Sequence, residues 1–140
     1  FPEFSAKNIK WTTGVKIASL IQREAGGSAD MPIISGIIWN RLDKGMRLEI
    51  DATLQYIKGE VNGNWWSHVY PVDKQIVSLF NTYMNYGLPP APIANPGLEA
   101  IKAALNPVLT DCFFYIHDDN RQIHCAKTYE EHKENIKKYL

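Results

Sequence analysis

The sequence predicts an α+β domain, mainly helical, with a small antiparallel β element and a C-terminal helix. Three observations carry that expectation. Apolar residues recur at helical spacing in two stretches, first Ile17, Leu20 and Ile21, then Ile34, Ile37, Ile38 and Leu42. Residues 112–117 and 121–126 flank the turn-forming Asp118-Asp119-Asn120 and read as a hairpin. Thr128-Tyr129-Glu130-Glu131 is a capping box that opens a terminal helix to Leu140.

In chain order, residues 1–12 form an irregular lead-in with Trp11 as an anchor, and residues 13–140 form one domain. The first helix spans Thr13 to Ala25 and stops at Gly26-Gly27. The second runs from Asp30, its expected cap, to Lys44, with Gly45 as exit residue. Leu48 to Asp51 is expected as a short strand and Ala52 to Ile57 as a helical turn. Lys58 to Pro71 holds Gly59, Gly63, two Asn and Trp65-Trp66, and reads as a long loop of the kind that usually carries a role. Val72 to Tyr83 is expected to be partly helical. Between Gly87 and Gly97 four prolines fall within eight positions, fixing φ and removing donors, so this stretch is a stiff, extended wall. Asn95-Pro96 then caps and opens a helix through Leu105, closed by Asn106-Pro107.

A chain of 140 residues suits one domain with a real core. Lys plus Arg total 15 and Asp plus Glu total 15, so no basic excess exists to neutralise a phosphate backbone, and nucleic acid is not an expected partner. The chain opens on Phe1-Pro2 without a signal-like start or a long apolar run, which reads as a processed product or an excised piece. Cys112 and Cys125 lie on either side of the hairpin turn. They are either bridged, as an oxidising envelope permits, or two unpaired buried thiols, the commoner arrangement.

One residue does not fit its position. Ile17, Leu20, Ile21 and Glu24 stand at i, i+3, i+4 and i+7, so a carboxylate shares the apolar stripe. Desolvation there raises a carboxyl pKa and favours the protonated acid, which is what a general acid near neutral pH requires. The alternative is structural: a Glu near a helix end can reach solvent or meet an Arg.

The string Ala18-Ser19-Leu20-Ile21-Gln22-Arg23-Glu24-Ala25 resembles the catalytic helix motif of the MltG, or YceG-like, family of murein transglycosylases. Asn40-Arg41-Leu42, Gly45 to Thr53, Asn81-Thr82-Tyr83, Gly87 to Gly97, Ala104 to Pro107, His124 and His132 follow in the family's order, so the resemblance spans about residues 13–135. The Lys58–Pro71 loop and its Trp pair are individual to this chain. The resemblance implies an extracytoplasmic domain, anchored by a preceding membrane helix, that cuts peptidoglycan glycan strands between N-acetylmuramic acid and N-acetylglucosamine and leaves a 1,6-anhydro end. A cell-wall synthase is an implied partner. No cofactor is implied. A non-catalytic wall-binding module and a strand hydrolase are the alternatives.

The family's catalytic Glu matches Glu24, acting first as acid and then as base. Asp51 is the first candidate for a supporting polar role, against a turn or cap function shared with Thr53. Glu49 alternates with Asp51 and is expected on the same face, where a second carboxylate would raise the Glu24 pKa further. Arg41 is expected to pair with Glu24 or Asp51, or else to solvate the second helix. Asn81, Thr82 and Tyr83 are expected to line the groove with Leu88, Pro89, Pro90 and Asn95, the alternative for the proline-rich stretch being a purely structural rigid loop. Tyr83 and Tyr56 can offer a ring face to a sugar. His124 is read as a hairpin hydrogen-bonding residue. With Cys125 and His132 it supplies too few ligands for a metal, so none is expected.

Overall fold

The computed structural model of the protein describes residues 8–140. Most of the expected lead-in, residues 1–7, lies outside the described residues. Among the described residues there are five α-helices, in order α1 (Trp11–Glu24), α2 (Met31–Lys44), α3 (Asp51–Lys58), α4 (Leu98–Leu105) and, after a hairpin of β1 (Phe114–His117) and β2 (Ile123–Ala126), α5 (Tyr129–Tyr139). Single 3-10 turns stand at Ser28–Asp30 and Pro71–Gln75. The α+β expectation holds.

α1 is the centre. Ile17, Ala18, Leu20 and Ile21 are fully buried, and α1 packs on α4, α2 and α3. The α4 face is Ala100, Ala103 and Ala104, small side chains that let the two helices approach closely. Each large aliphatic side chain buried here contributes about 1.5–3 kcal/mol. α1 begins at Trp11, before the expected Thr13, and Trp11 is largely exposed rather than an anchor of the core. α2 ends as expected on Gly45, in the left-handed region at φ 73°, with its N–H turned back to the Arg41 and Leu42 carbonyls.

Several local expectations are corrected. Asp30 does not cap α2 with its side chain; its carboxylate accepts from the N–H groups of Gly26 (3.0 Å) and Gly27 (3.4 Å), closing the turn after α1. Leu48 to Asp51 is not a strand: a single backbone bond, from the Glu49 N–H to the Thr82 carbonyl (3.2 Å), is not continued as a ladder, and side chains meet the neighbouring groups. The Ile50 N–H donates to Thr82 Oγ1 (2.9 Å), and Arg41 donates to the carbonyls of Arg47 and Leu48. Asn95 does not cap α4. Gln22 Oε1 on α1 accepts from the Gly97 N–H (2.8 Å), which keeps the chain extended through Gly97, so the helix opens at Leu98.

The Gly87–Gly97 segment is irregular, as expected, and is pinned to α1 at a second point where the Ile93 N–H donates to Ser19 Oγ (3.1 Å). The hairpin pairs Phe114 with Ala126 through His117 with Ile123. Cys112 and Cys125 form a disulfide, which corrects the free-thiol reading. At the strand end the chain leaves the ladder's register, the Phe113 N–H donating to the Ala126 carbonyl (2.9 Å), and the Cys112 and Cys125 Cα atoms stand 5.9 Å apart. Thr128 caps α5 by accepting from the Glu131 N–H (3.2 Å), while Glu131 reaches back to the Lys127 N–H (3.1 Å).

Gly36 marks the tightest approach. A Cβ built there would stand 2.2 Å from the Val108 carbonyl oxygen, on a segment whose Val108 N–H bonds Pro32 O at 3.0 Å. Gly→Ala inside an exposed helix gains about 1 kcal/mol. Here the sign reverses, and Gly36→Ala should lose roughly 1–3 kcal/mol as the 107–110 segment is pushed off α2. Urea unfolding measures this; an equal or higher midpoint would mean that the segment yields freely.

Candidate active site

Glu24 closes α1 with three fully buried stripe residues behind it. Its side chain keeps part of its surface toward a cavity, while protein packs around the carboxyl. The C-terminal end of a helix carries partial negative charge and gives a carboxylate no help. From β1, the Tyr115 hydroxyl donates to Glu24 Oε1 at 2.7 Å. The Glu24 pKa is raised above its ordinary 4.5, first by desolvation and then by the neighbouring Asp51 charge; the Tyr115 hydrogen bond, His117 and Arg23 pull the other way without prevailing. Burial and the adjacent Glu24 push the Tyr115 phenol far up, so it remains a donor.

The cavity holds about 370 Å³. Ile37, Ile38, Leu48 and Ile50 give it an apolar base, Phe114, Tyr115, Tyr83 and Tyr129 give it aromatic walls, and Glu24, Asp51, Glu49, Arg41, Lys74 and His132 supply the polar groups. Such a mixture suits a ligand with apolar faces and many hydroxyls.

Asp51, the first residue of α3, is exposed to the cavity and accepts a hydrogen bond from the Tyr83 hydroxyl. Burial and then this bond raise the Tyr83 pKa, which keeps its proton on. Asn81 positions Tyr83: its Oδ1 accepts from the Tyr83 N–H (2.9 Å), and its Nδ2 donates to the Lys74 and Ile76 carbonyls (3.0 and 2.8 Å). Thr82 and Thr53 share a hydrogen bond at 3.0 Å beneath Ile50. Asn81, Thr82 and Thr53 are buried and none lines the cavity; they form the base on which Asp51 and Tyr83 stand.

Arg41 is a correction. It pairs with neither Glu24 nor Asp51. Its Nε donates to the Phe113 carbonyl (2.7 Å), one terminal nitrogen donates to Arg47 O (2.8 Å) and Leu48 O (3.3 Å), and the same nitrogen lies 3.8 Å from Glu49. One guanidinium thus ties the hairpin to the segment leading into Asp51. Glu49 and Asp51 do line one cavity, though without a strand, since Glu49 turns through the left-handed region at φ 51°.

Leu88, Pro89, Pro90 and Asn95 do not line this cavity; their segment braces the back of α1. His124 lies outside it as well, hydrogen-bonded to Asp118 (2.8 Å) and stacked on Tyr139 with centroids 3.5 Å apart. Sequence reasoning missed Tyr115, Phe114, Lys74 and Tyr129, and noted His132 without a role. The alternation of β1 places Tyr115 and His117 on one face, but which face meets α1 is decided by packing.

The YceG-like family model matches residues 3–138. The chain belongs to the YceG-like family. It is 39% identical over 124 residues to an endolytic murein transglycosylase of Bacillus subtilis, covering 89% of this chain and 33% of that protein. A Streptococcus pneumoniae protein of the same name is 28% identical over 142 residues, covering 100% of this chain and 26% of the relative. A crystal structure of a yceG-like protein from Listeria monocytogenes superposes with a TM-score of 0.84 at 33% identity, over 95% of this chain and 41% of that one. The chain therefore spans about a third or less of the curated relatives it matches.

Because the fold raises the Glu24 pKa, the native state holds this proton more tightly than the unfolded chain. Its contribution is fully present below the unfolded value of 4.5 and is lost as pH climbs through the folded value. Glu24→Gln removes that dependence. In urea unfolding at stepped pH, stability of the variant relative to wild type should rise with pH above 4.5; a gap that stays flat across that range would mean a well-solvated carboxylate.

Proposed function

We propose that residues 13–140 form a lytic transglycosylase domain that cleaves the bond between N-acetylmuramic acid and N-acetylglucosamine in peptidoglycan and leaves a 1,6-anhydro end. The observation that carries this reading is a carboxyl with a raised pKa, oriented by Tyr115, at the wall of a cavity with aromatic and polar lining. The names of the relatives and the resemblance of the catalytic helix support the choice of substrate.

Protonated Glu24 donates to the glycosidic oxygen as the bond to the anomeric carbon breaks. The carboxylate left behind accepts the proton of the sugar's own 6-hydroxyl while that oxygen closes on the anomeric carbon. One bond is exchanged for another, no water enters, and Glu24 ends as it began. Holding the 6-hydroxyl beside the reacting carbon supplies much of the rate through proximity. The Asp51 carboxylate, oriented by Tyr83, raises the Glu24 pKa in the ground state and stabilises positive charge developing on the sugar ring. Tyr115 and Tyr83 keep their protons throughout and so orient the two carboxyl groups without competing as bases.

Asp51 also supports a second reading. Two carboxyl groups in one cavity are the equipment of a glycoside hydrolase, in which Asp51 would activate water or attack the sugar. Either chemistry places the domain in the cell envelope. Attachment at the extracytoplasmic face of the cytoplasmic membrane and work beside a cell-wall synthase belong to the same reading and rest on the family resemblance. Among the described residues no helix is long and apolar enough to cross a membrane.

Incubation with purified glycan strands, followed by mass analysis of the ends, separates the readings. Anhydro ends are expected, reducing ends indicate hydrolysis, and unchanged strands indicate a binding module. Glu24→Gln should lower anhydro product by about 10²–10⁴-fold with the fold intact; turnover at the wild-type rate would remove Glu24 from the chemistry. Asp51→Asn should slow the reaction less while leaving unfolding unchanged. A wild-type rate in that variant would reduce Asp51 to the first residue of α3.

A further inference from the structure

A second cavity, of about 480 Å³, lies in the loop between α3 and the Pro71–Gln75 turn, with Trp65, Trp66 and Tyr70 among its lining residues. Trp65 and Tyr70 are 60% and 56% exposed, an unusual state for two large aromatics set in one concave surface. Mobile loops do not hold side chains this way, and this loop is heavily braced. Asn62 and Gly63 both have positive φ, at 52° and 82°, and close a two-residue turn bridged by Val61 and Asn64. Gln55 Nε2 donates to the carbonyls of Trp66 (3.2 Å) and Ser67 (3.0 Å). Lys58 Nζ donates to His68 O and to Asp73 Oδ2, each at 2.9 Å, and the same carboxylate accepts from the Tyr70 N–H (2.8 Å). Trp66 itself sits in the left-handed region at φ 59°, costly for a bulky side chain and a feature of binding loops.

We infer that this braced aromatic loop is a second saccharide subsite, binding a distal part of the same glycan strand whose cleavage is proposed at Glu24. The lining contains no carboxylate, and its one ammonium, Lys58, is already paired with Asp73, so a neutral ligand is favoured over a charged one. Ring faces at Trp65 and Tyr70 suit the C–H faces of pyranose rings, and Asn62 and Asn64 stand ready for hydroxyl and N-acetyl groups. The loop also lies close to the first cavity. Asp51 and Lys58 are the two ends of α3, one lining each cavity, and at 1.5 Å per residue the helix spans only about 10 Å, the scale of a disaccharide. On the other side the Arg23 guanidinium, next in sequence to Glu24, lies 3.7 Å from the centre of the Trp66 ring. The identity of the polymer rests on the function proposed above; the aromatic platform does not.

Binding of N-acetylglucosamine oligomers from dimer to hexamer to the Glu24→Gln chain, followed by calorimetry, tests the inference without turnover. Adding Trp65→Ala should weaken hexamer binding by about tenfold, the loss of one stacking contact, and leave dimer binding nearly unchanged. Trp65→Phe should restore most of it. The Trp65 side chain is largely exposed, so the thermal transition should stay in place. Equal hexamer affinity with and without Trp65, or no oligomer binding at all, overturns the subsite. If wild type yields no anhydro ends yet hexamer binding still depends on Trp65, the function proposed above fails and the subsite stands.

Discussion

Glu24 must be held where water is scarce, at the end of a helix that offers a carboxylate nothing, and without a cation to neutralise it. Among the described residues no salt bridge reaches it. Its single strong partner is a neutral phenol, which orients the carboxyl while leaving its proton available. A lysine or arginine in place of Tyr115 would hold the group equally well but lower its pKa, where the phenol leaves it raised. Two cations around the site are directed elsewhere. Arg23 stacks on Trp66. Arg41 is spent on three carbonyls and the edge of Glu49.

That constraint explains why so much of the chain serves α1 and the hairpin rather than the cavity itself. α1 is fixed by its buried stripe, by α4, and by Ser19 and Gln22, which take N–H groups from the proline-rich segment. The hairpin that carries Tyr115 is fixed by the disulfide at its open end and by Asp118 at its turn, where one carboxylate oxygen accepts from the N–H groups of Asn120 (2.8 Å) and Gln122 (2.9 Å). An oriented carboxyl requires both ends of the Tyr115–Glu24 bond to be rigid, and each end is fastened at more than one point.

Legibility in the sequence divides along the same line. Glu24 was visible because a helix repeats every 3.6 residues and a carboxylate on its apolar stripe breaks the pattern. Asp51 and Tyr83 are legible only through the family motifs Gly45 to Thr53 and Asn81-Thr82-Tyr83, since a turn or cap role explains Asp51 equally well. Tyr115 was invisible: a four-residue strand with half-buried positions throughout has no polar face to contrast with an apolar one. The disulfide is hidden because the chain shifts register at the strand end, which spacing alone does not disclose. Asn95 misled for a related reason. Its local chemistry is that of a helix cap, yet a hydrogen bond from Gly97 to Gln22, 75 positions away in sequence, decides where α4 begins.

The proline-rich segment shows how a correct local reading can attach to the wrong purpose. Four prolines within eight positions make a stiff wall, and stiffness beside a cleft suggests a surface for substrate. In the fold the wall stands behind α1, not across from it. Stiffness matters more there: a rigid brace whose backbone N–H groups at Ile93 and Gly97 meet two successive turns of α1 limits rotation of that helix about its axis. One residue of a helix subtends about 100°, so even a modest roll would carry the Glu24 carboxyl away from Tyr115 and toward solvent. Prolines supply the brace while removing donors that would themselves need partners in a half-buried segment, and two of the N–H groups that remain, at Ile93 and Gly97, are the ones α1 uses.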